Sequence, residues 1–548
     1  MSGSEPASRS RTACCGGSWG IAVLETLLLV LLFFVVAGNP PPAINEAHYM
    51  VLAKNFWQPD WCARDLFVVS DKPHLAFHAT FGWLTQFFSL ATATWIGRLI
   101  GWTLLAIALR SLTRAVSDRA FACLGVALVW IAGNEHFNFA GEWVVGGIEA
   151  KVPAYALVLA GMTQMVRGRW PWVWPLLGMA SAFHVLVGGW TVVAAMWAYV
   201  LVGRQQSPPN KQVVPLLIGG AIAMLGLWPG IQMSAAANPA DSIAAAKIYT
   251  YSRIAHHLLP HSFPTHWYVR HGILVLTMLV AAWPLRRHPR FVVLFWFAIG
   301  SCGIALVGLL IGMLPPVAPD LAARLLRFYW FRATDSITPL TLALAIAVHL
   351  HRGAAALSQS AAASLQNGRE RLRTGGAILV VGTAVVLVGI TAWDDLRRGI
   401  PVAARFDNVT FRGRESIEQQ QQAFTDWLAV CRWVDQTLPE DEVLITPRHQ
   451  YTFKWYAARA EVVNWKDVPQ DASSLVQWYK RFFDIYPQRL GTIRVTIRYD
   501  DLRRYRQQYG PRFMIADQRV VGPELPLVRV YPAGDGESNA TYAVYRLP

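Results

Sequence analysis

Residues 21–37 read IAVLETLLLVLLFFVVA and lead into Gly38-Asn39-Pro40-Pro41-Pro42. Arg9 and Arg11 precede the run, as in a signal peptide, but the run is long for a signal-peptide core and no convincing small-x-small cleavage site follows. It reads as a retained first transmembrane helix. Working outward, apolar stretches recur at about 80–109, 119–133, 152–166, 172–186, 189–203, 212–230, 270–285, 291–314, 336–351 and 376–392. Several run only ~15 residues, short for an upright helix crossing a ~30 Å hydrocarbon core. In Trp170–Val202 two stretches are joined only by Val187-Gly188-Gly189, so a re-entrant hairpin is the alternative there.

Composition separates the tail from the body. Over the 548 residues 54% are apolar and 15% charged, against the ~25% charged of a soluble protein. The deficit falls before residue 394, and residues 394–548 read as water-soluble sequence. The 24 Trp suit membrane–water interfaces. The formal charge of +15 is compatible with nucleic-acid binding, but no RNA- or DNA-binding motif is present and nucleic acid is not an expected partner. The six cysteines form no CxxC pair and no zinc-finger spacing.

Loop charge accounts for the basic balance. With the N-terminus inside, the cytoplasmic loops carry Arg110, Arg114 and Arg119; Arg167 and Arg169; Arg204 and Lys211; Arg286, Arg287 and Arg290; and Arg352, Arg369, Arg371 and Arg373. Each is short and basic, as the positive-inside rule requires. A single miscounted span would invert the pattern, and no inversion occurs. The outer loops, about 38–79, 134–151, 231–269 and 315–335, are longer and rich in His, Trp and Pro. Long loops of this kind carry function. The tail follows outside, with strand-like runs at Val443–Thr446, Glu461–Val463, Phe513–Ala516, Leu527–Val530 and Ala543–Tyr545 and helical runs at Gln450–Ala458, Ser473–Phe483 and Asp501–Tyr509. It contains no GxGxxG and no P-loop.

The first outer loop reads Asn45-Glu46-Ala47-His48-Tyr49, then Lys72-Pro73-His74-Leu75, and the next helix contains Trp95-Ile96-Gly97-Arg98-Leu99. This order resembles the GT-C glycosyltransferases, in particular protein mannosyltransferases and lipid-linked aminoarabinose transferases. Those begin with one helix, an acidic pair followed by tyrosine, a Lys-Pro-Pro-Leu segment and a helix containing Arg-Leu. Here Asn45 stands for the first acid and His74 for the second proline. The match covers about 60 residues; beyond it the layout agrees, down to an oligosaccharyltransferase-like outer domain introduced by Leu438-Pro439-Glu440-Asp441-Glu442. The Trp-Trp-Asp motif of oligosaccharyltransferases is absent.

The resemblance implies transfer of a sugar from a polyprenyl-phosphate carrier. An acceptor attacking the anomeric carbon must lose a proton, which a carboxylate takes, and the departing phosphate needs cations. Glu46, just past the first helix, is the expected base. Tyr49, Lys72 and His74 share its loop and are expected to bind substrate. Glu135, Glu142 and Glu149, spaced by seven, fall on one face if the second outer loop is helical; Glu142 and Glu149 are the next substrate-binding candidates, with pairing to Lys151 as the plain alternative. Arg324, Arg327 and Arg332 run against the positive-inside bias and suit a phosphate, with pairing to Asp320 or Asp335 as the alternative. His184, inside an apolar span, is a functional candidate by position. His256, His257, His261, His266 and His271 crowd the fourth outer loop without a zinc motif. The cofactor is unknown, with a divalent cation as the candidate.

The sequence therefore predicts a mostly α polytopic membrane protein of about eleven transmembrane helices with a small C-terminal α/β domain. The divisions are a cytoplasmic tail over 1–19, a transmembrane GT-C-like unit over 20–393 and an extracytoplasmic domain over 394–548. The expected setting is the plasma (inner) membrane, and the expected partners are membrane lipids, a lipid-linked sugar donor and an acceptor the sequence does not name. A transporter or flippase would want internal repeats or mid-helix charges; a scaffold or sensor would be indifferent to loss of Glu46. A cysteine introduced near Gly536 is expected to react with an impermeant label on intact cells. Labelling only after permeabilisation would reverse the topology.

Overall fold

The computed structural model describes residues 15–358, 364–407, 411, 413–486, 498–533 and 538–548. Arg9, Arg11, Cys14 and Gly536, and the expected tail up to residue 14, lie outside them. Each predicted apolar span carries a helix: α1 Cys15–Ala37, α2 Leu90–Val116, α3 Ala122–His136, α4 Lys151–Val166, α5 Trp170–Phe183, α6 Val185–Ala198, α7 Val213–Ala236, α8 Thr265–Ala282, α9 Val292–Ile311, α10 Arg332–Ser358 and α11 Ser364–Arg398. Among the described residues, eight helical stretches are long and apolar enough to cross a bilayer. The other three, α3, α4 and α5, have 15, 16 and 14 residues, about 21–24 Å at 1.5 Å per residue. The second span begins later than predicted. Ser89 caps α2 by accepting the Thr92 N–H, and residues 81–86 form a separate 3₁₀ turn.

Trp170–Val202 forms a hairpin. Its corner is His184, whose extended backbone (φ −144°, ψ 101°) separates α5 from α6, rather than the Val187–Gly189 stretch. The two helices fold back on each other: Gly188 lies so close to Ser181 that a Cβ there would overlap it, and beyond α6 Gln206 accepts the Trp170 indole N–H at 3.1 Å.

The predicted basic loops gather at one end of the bundle. Arg290 pairs with Asp118 at 3.0 Å, and Arg119 donates to the Leu350 carbonyl at 3.5 Å. Glu25, fully buried on α1, holds Arg110 at 2.8 Å and Arg114 at 2.7 Å and accepts the Phe121 N–H. The other end carries the long loops and the C-terminal sheet. Its strands β1 Val443–Ile445, β2 Ala460–Glu461, β3 Phe513–Asp517, β4 Val528–Tyr531 and β5 Tyr542–Arg546 take the order β2-β1-β3-β5-β4. β1 runs parallel to β2 and β3, and β5 antiparallel to β3 and β4. The strand-like runs of the sequence fall on these five strands. The tail's long helix Ile417–Thr437 was not anticipated, although Ser416 and Gln419 form a capping box at its start.

The sheet domain does not complete its own core. Val443, Ile445, Trp478, Phe482 and Met514 pack with Ala245, and Leu66, Ile248 and Tyr249 of the outer loops close the cluster. Beside it, the buried Lys454 ammonium meets Asp65 of the first outer loop at 3.1 Å, Glu461 at 2.6 Å and Asp467 at 2.6 Å. Asp467 also takes His48 at 2.6 Å. Burial pushes the Glu461 carboxyl up to about 7 despite Lys454; burial opposes the charge on Lys454 too, but the three carboxylates outweigh it and hold the ammonium protonated. Removing the one cation strands buried charge, so Lys454→Met is expected to destabilise the tail by about 3–5 kcal/mol. Limited proteolysis and a thermal melt of the full chain in detergent check this, and unchanged cleavage and melting would rule it out.

Candidate active site

Glu46 begins the helix Glu46–Trp57 and is fully buried. One carboxylate oxygen accepts Arg98 Nε at 2.7 Å and the Ile148 N–H at 2.6 Å; the other accepts Arg98 Nη2 at 2.6 Å and the Ala43 N–H at 2.6 Å. Four donors therefore occupy the expected base, and it does not line the cavity described below. Gly147 is required beside it, since a Cβ there would come within 2.5 Å of the Glu46 carboxyl carbon. Through these bonds Glu46 joins the first outer loop, α2 and the second outer loop.

The second outer loop is not helical between His136 and Lys151, so the seven-residue spacing is not what brings Glu142 and Glu149 together. Glu135 stays on α3, outside the cavity. The loop is bent and pinned at both ends. Glu46 holds Ile148 at one end. At the other, Asp335 of α10 accepts the N–H groups of Phe139 at 2.6 Å, Ala140 at 2.9 Å and Glu142 at 3.3 Å. Two buried carboxylates thus set the backbone that presents two others.

Between the bundle and the tail lies a cavity of about 1270 Å³. Tyr49, His74, Glu142, Glu149, Arg324, Arg327 and Arg332 all line it. Lys72 does not; its ammonium donates to the Val68 carbonyl at 2.7 Å. Arg332 Nε lies 2.9 Å from Glu142, and its Nη1 donates to His184 Nε2 at 2.9 Å. The corner histidine is thus part of the cavity wall. Tyr155 donates to Glu142 at 3.3 Å, and the Asn45 amide to Glu149 at 2.9 Å. Lys151 Nζ stands 3.7 Å from each carboxylate and 3.6 Å from the centre of the Trp143 ring. Burial pushes the Glu149 carboxyl above the ordinary range, against the pull of Lys151.

Arg324 and Arg327 pair with no carboxylate among the described residues; Asp320 is taken by Lys247 at 2.6 Å, and Asp335 by the loop. The wall also includes Arg253, whose Nε donates to the Trp465 carbonyl at 2.8 Å. Burial lowers Arg253 only to about 10, so it stays charged. The histidines are different. Burial lowers His74 and His256 to about 4, and His257 and His449 to about 3, so they are neutral near pH 7. His257 bonds the Ala140 carbonyl, and His271 the Phe137 carbonyl. Six cationic side chains against three carboxylates make the lining basic.

Sequence reasoning missed Arg253, Tyr249, Tyr329 and the tail's share of the wall, from His449 and Tyr451 to Trp465, Lys466 and Asp471. The basic residues outside were a usable signal for Arg253. None marked the tail loop. Among the described residues no group of three or more His, Cys, Asp or Glu is placed to hold a metal ion, and the Lys151 ammonium stands 3.7 Å from both Glu142 and Glu149.

ArnT from Cupriavidus metallidurans in the apo state superposes over 97% of this chain and 98% of its own, with TM-score 0.50 and 13% identity. The chain shares the fold of that protein. The same protein bound to undecaprenyl phosphate aligns with TM-score 0.49 and 14% identity over 98% of this chain and 99% of its own. The oligosaccharyltransferase AglB from Archaeoglobus fulgidus, in complex with an inhibitory peptide and a dolichol-phosphate, aligns at 0.48 and 11% over 92% of this chain and 70% of its own. Residues 425–485 match a domain of unknown function, DUF6798. No curated protein matches the chain by sequence.

Glu46→Gln removes the charge that compensates buried Arg98. The sequence alone predicts lost turnover with folding intact; the geometry predicts a cost of about 3–5 kcal/mol and reduced insertion or melting temperature. A melt and membrane yield equal to those of the parent would refute the positioning role.

Proposed function

We propose that this protein is a membrane glycosyltransferase that moves a sugar from a polyprenyl-phosphate donor to an acceptor on the side of the bilayer where the tail domain lies. The observation that carries the reading is a single cavity with two unlike walls. One wall is apolar: Val185 and Leu186 of α6 and Gly226, Leu227, Gly230, Ile231 and Met233 of α7 line it, and α7 also exposes Leu225 and Trp228, which lie outside that lining. A lipid tail lying against α7 can keep contact with the hydrocarbon while its head enters the cavity. The other wall offers Arg324 and Arg327 to a phosphate and the buried carboxylates to a proton. Arg suits phosphate oxygens because its planar fork donates two parallel hydrogen bonds. In this reading the basic loops face the cytoplasm and the membrane is the plasma (inner) membrane.

The base moves from Glu46 to Glu149. Glu142 is held by Arg332 and Tyr155, whereas Glu149 accepts one amide and has its carboxyl raised by burial, which makes its ionised form the stronger proton acceptor. Glu149 takes the acceptor proton as the acceptor oxygen bonds to the anomeric carbon, and the bond from that carbon to the phosphate oxygen breaks with its electrons going to the phosphate. Tyr49 and His74, neutral on the cavity wall, orient the sugar. The fold likeness is consistent with this class of reaction.

Transfer of labelled sugar from a polyprenyl-phosphate donor in vesicles tests the proposal. Glu149→Gln is expected to lower kcat by about 10²–10⁴-fold, and Arg327→Ala to raise KM for the donor. Because burial raises the Glu149 carboxyl and the ionised form is needed, activity should fall as pH drops through a value above the ordinary carboxylate range. A profile flat to pH 4, or movement of a solute with no transfer from any such donor, would overturn the reading.

A further inference from the structure

The carboxylates Glu142 and Glu149 face each other across an ammonium. A divalent ion placed there would need several oxygen ligands at 2.0–2.6 Å. Arg332 at 2.9 Å and the Asn45 amide at 2.9 Å hold one oxygen of each carboxylate. The two oxygens left for an ion, Glu142 Oε1 and Glu149 Oε2, are those that face Lys151 Nζ at 3.7 Å, so an ion could enter between them only in place of the ammonium. The charge is also settled. Arg332 and Lys151 balance the two carboxylates, so a doubly charged ion would enter a neutral group beside two fixed cations. The Trp143 ring, 3.6 Å from Lys151 Nζ, favours an ammonium through its negative face and offers no oxygen to a hard divalent ion.

Resting on the glycosyltransferase reading, we infer that Lys151 takes the place and the charge role of a divalent cation in this cavity, so that the site excludes such ions and transfer needs none. At 3.7 Å the carboxylates balance the Lys151 charge without using up its N–H donors, which stand beyond hydrogen-bond length from them. Those donors remain for the charge that develops on the departing phosphate. The ammonium is fixed to the start of α4 by its own backbone, so the cation is supplied by the chain and needs no recruitment.

Manganese uptake by the full-length protein in detergent, read from loss of the free-ion electron paramagnetic resonance signal, tests the inference without turnover. The parent is expected to take up none. Lys151→Met keeps the unbranched side chain to within one atom of its length and removes its charge, which frees the space of the ammonium; this variant is expected to take up one ion per chain, and to lose that uptake when Glu142→Gln is added. A melting temperature within a few degrees of the parent's certifies the fold of each variant, and Lys151→Arg, which keeps the charge, serves as the second variant and should take up none. Uptake by the parent that depends on Glu142 overturns the inference, and so does absence of uptake by both the parent and a folded Lys151→Met. Turnover gives a second readout. Parent activity should survive a chelator, and the acid limb of the Lys151→Met pH profile should move upward, because Lys151 no longer opposes the raised Glu149 carboxyl. Activity abolished by chelator and restored by manganese would contradict the inference. If no donor is ever used, the glycosyltransferase reading fails while the ion-binding result stands.

Discussion

The carboxylate of Glu46 is the contact on which the cavity depends. A buried carboxylate is tolerable only when its lone pairs are filled, and here the two Arg98 nitrogens and the N–H groups of Ala43 and Ile148 fill them. The same four bonds fix the first outer loop to α2 and the second outer loop to both. Asp335 does the equivalent work from α10, holding three successive parts of the loop by their N–H groups. Irregular backbone carries polar groups that must be satisfied wherever it is buried, and these two acids satisfy them from helices, which are rigid. Glu142 and Glu149 are therefore placed by backbone that cannot drift.

Charge inside the cavity is arranged in two zones. Arg332 and Lys151 are matched against Glu142 and Glu149, while Arg324 and Arg327 are left without an acidic partner among the described residues. Burial makes the matched charges hold tightly, while Arg324 and Arg327 are exposed and so accessible to an incoming anion. Burial keeps the histidines His74, His256, His257 and His449 neutral, so the positive field comes from arginine and lysine and persists at mildly acidic pH. The tail completes this zone. Its Lys454, clasped by Asp65, Glu461 and Asp467, fixes the sheet domain against the first outer loop and so brings Trp465, Lys466 and Asp471 over the cavity.

Much of the fold was legible because hydrophobic length and loop charge act along the chain. Helices sit at every predicted span, and the tail's strands fall where alternation placed them. The departures have local causes. Ser89 caps α2 and moves its start to Leu90, and the extended backbone of His184 turns the hairpin three residues early. The cavity was partly legible. Residue type and side of the membrane pointed to Tyr49, His74, Glu142, Glu149 and the three arginines. The same reasoning did not show that Glu46 and Lys72 lie outside the cavity lining, since an acid next to a membrane helix looks alike in sequence whether it faces a cavity or an arginine.

The sequence by itself determined a polytopic helical body, an α/β tail and a set of polar residues in or beside the long loops, because apolar length and loop composition need no knowledge of long-range contacts. Only the tertiary structure decided which of those residues share a cavity. Arg98 reaches Glu46 across 52 positions and Asp335 reaches Phe139 across 196, and Asp65 meets Lys454 from the other end of the chain. Contacts at such separations leave no periodic mark in the sequence. They arise when helices pack and each buried charge has to find its counter-charge or its N–H donors.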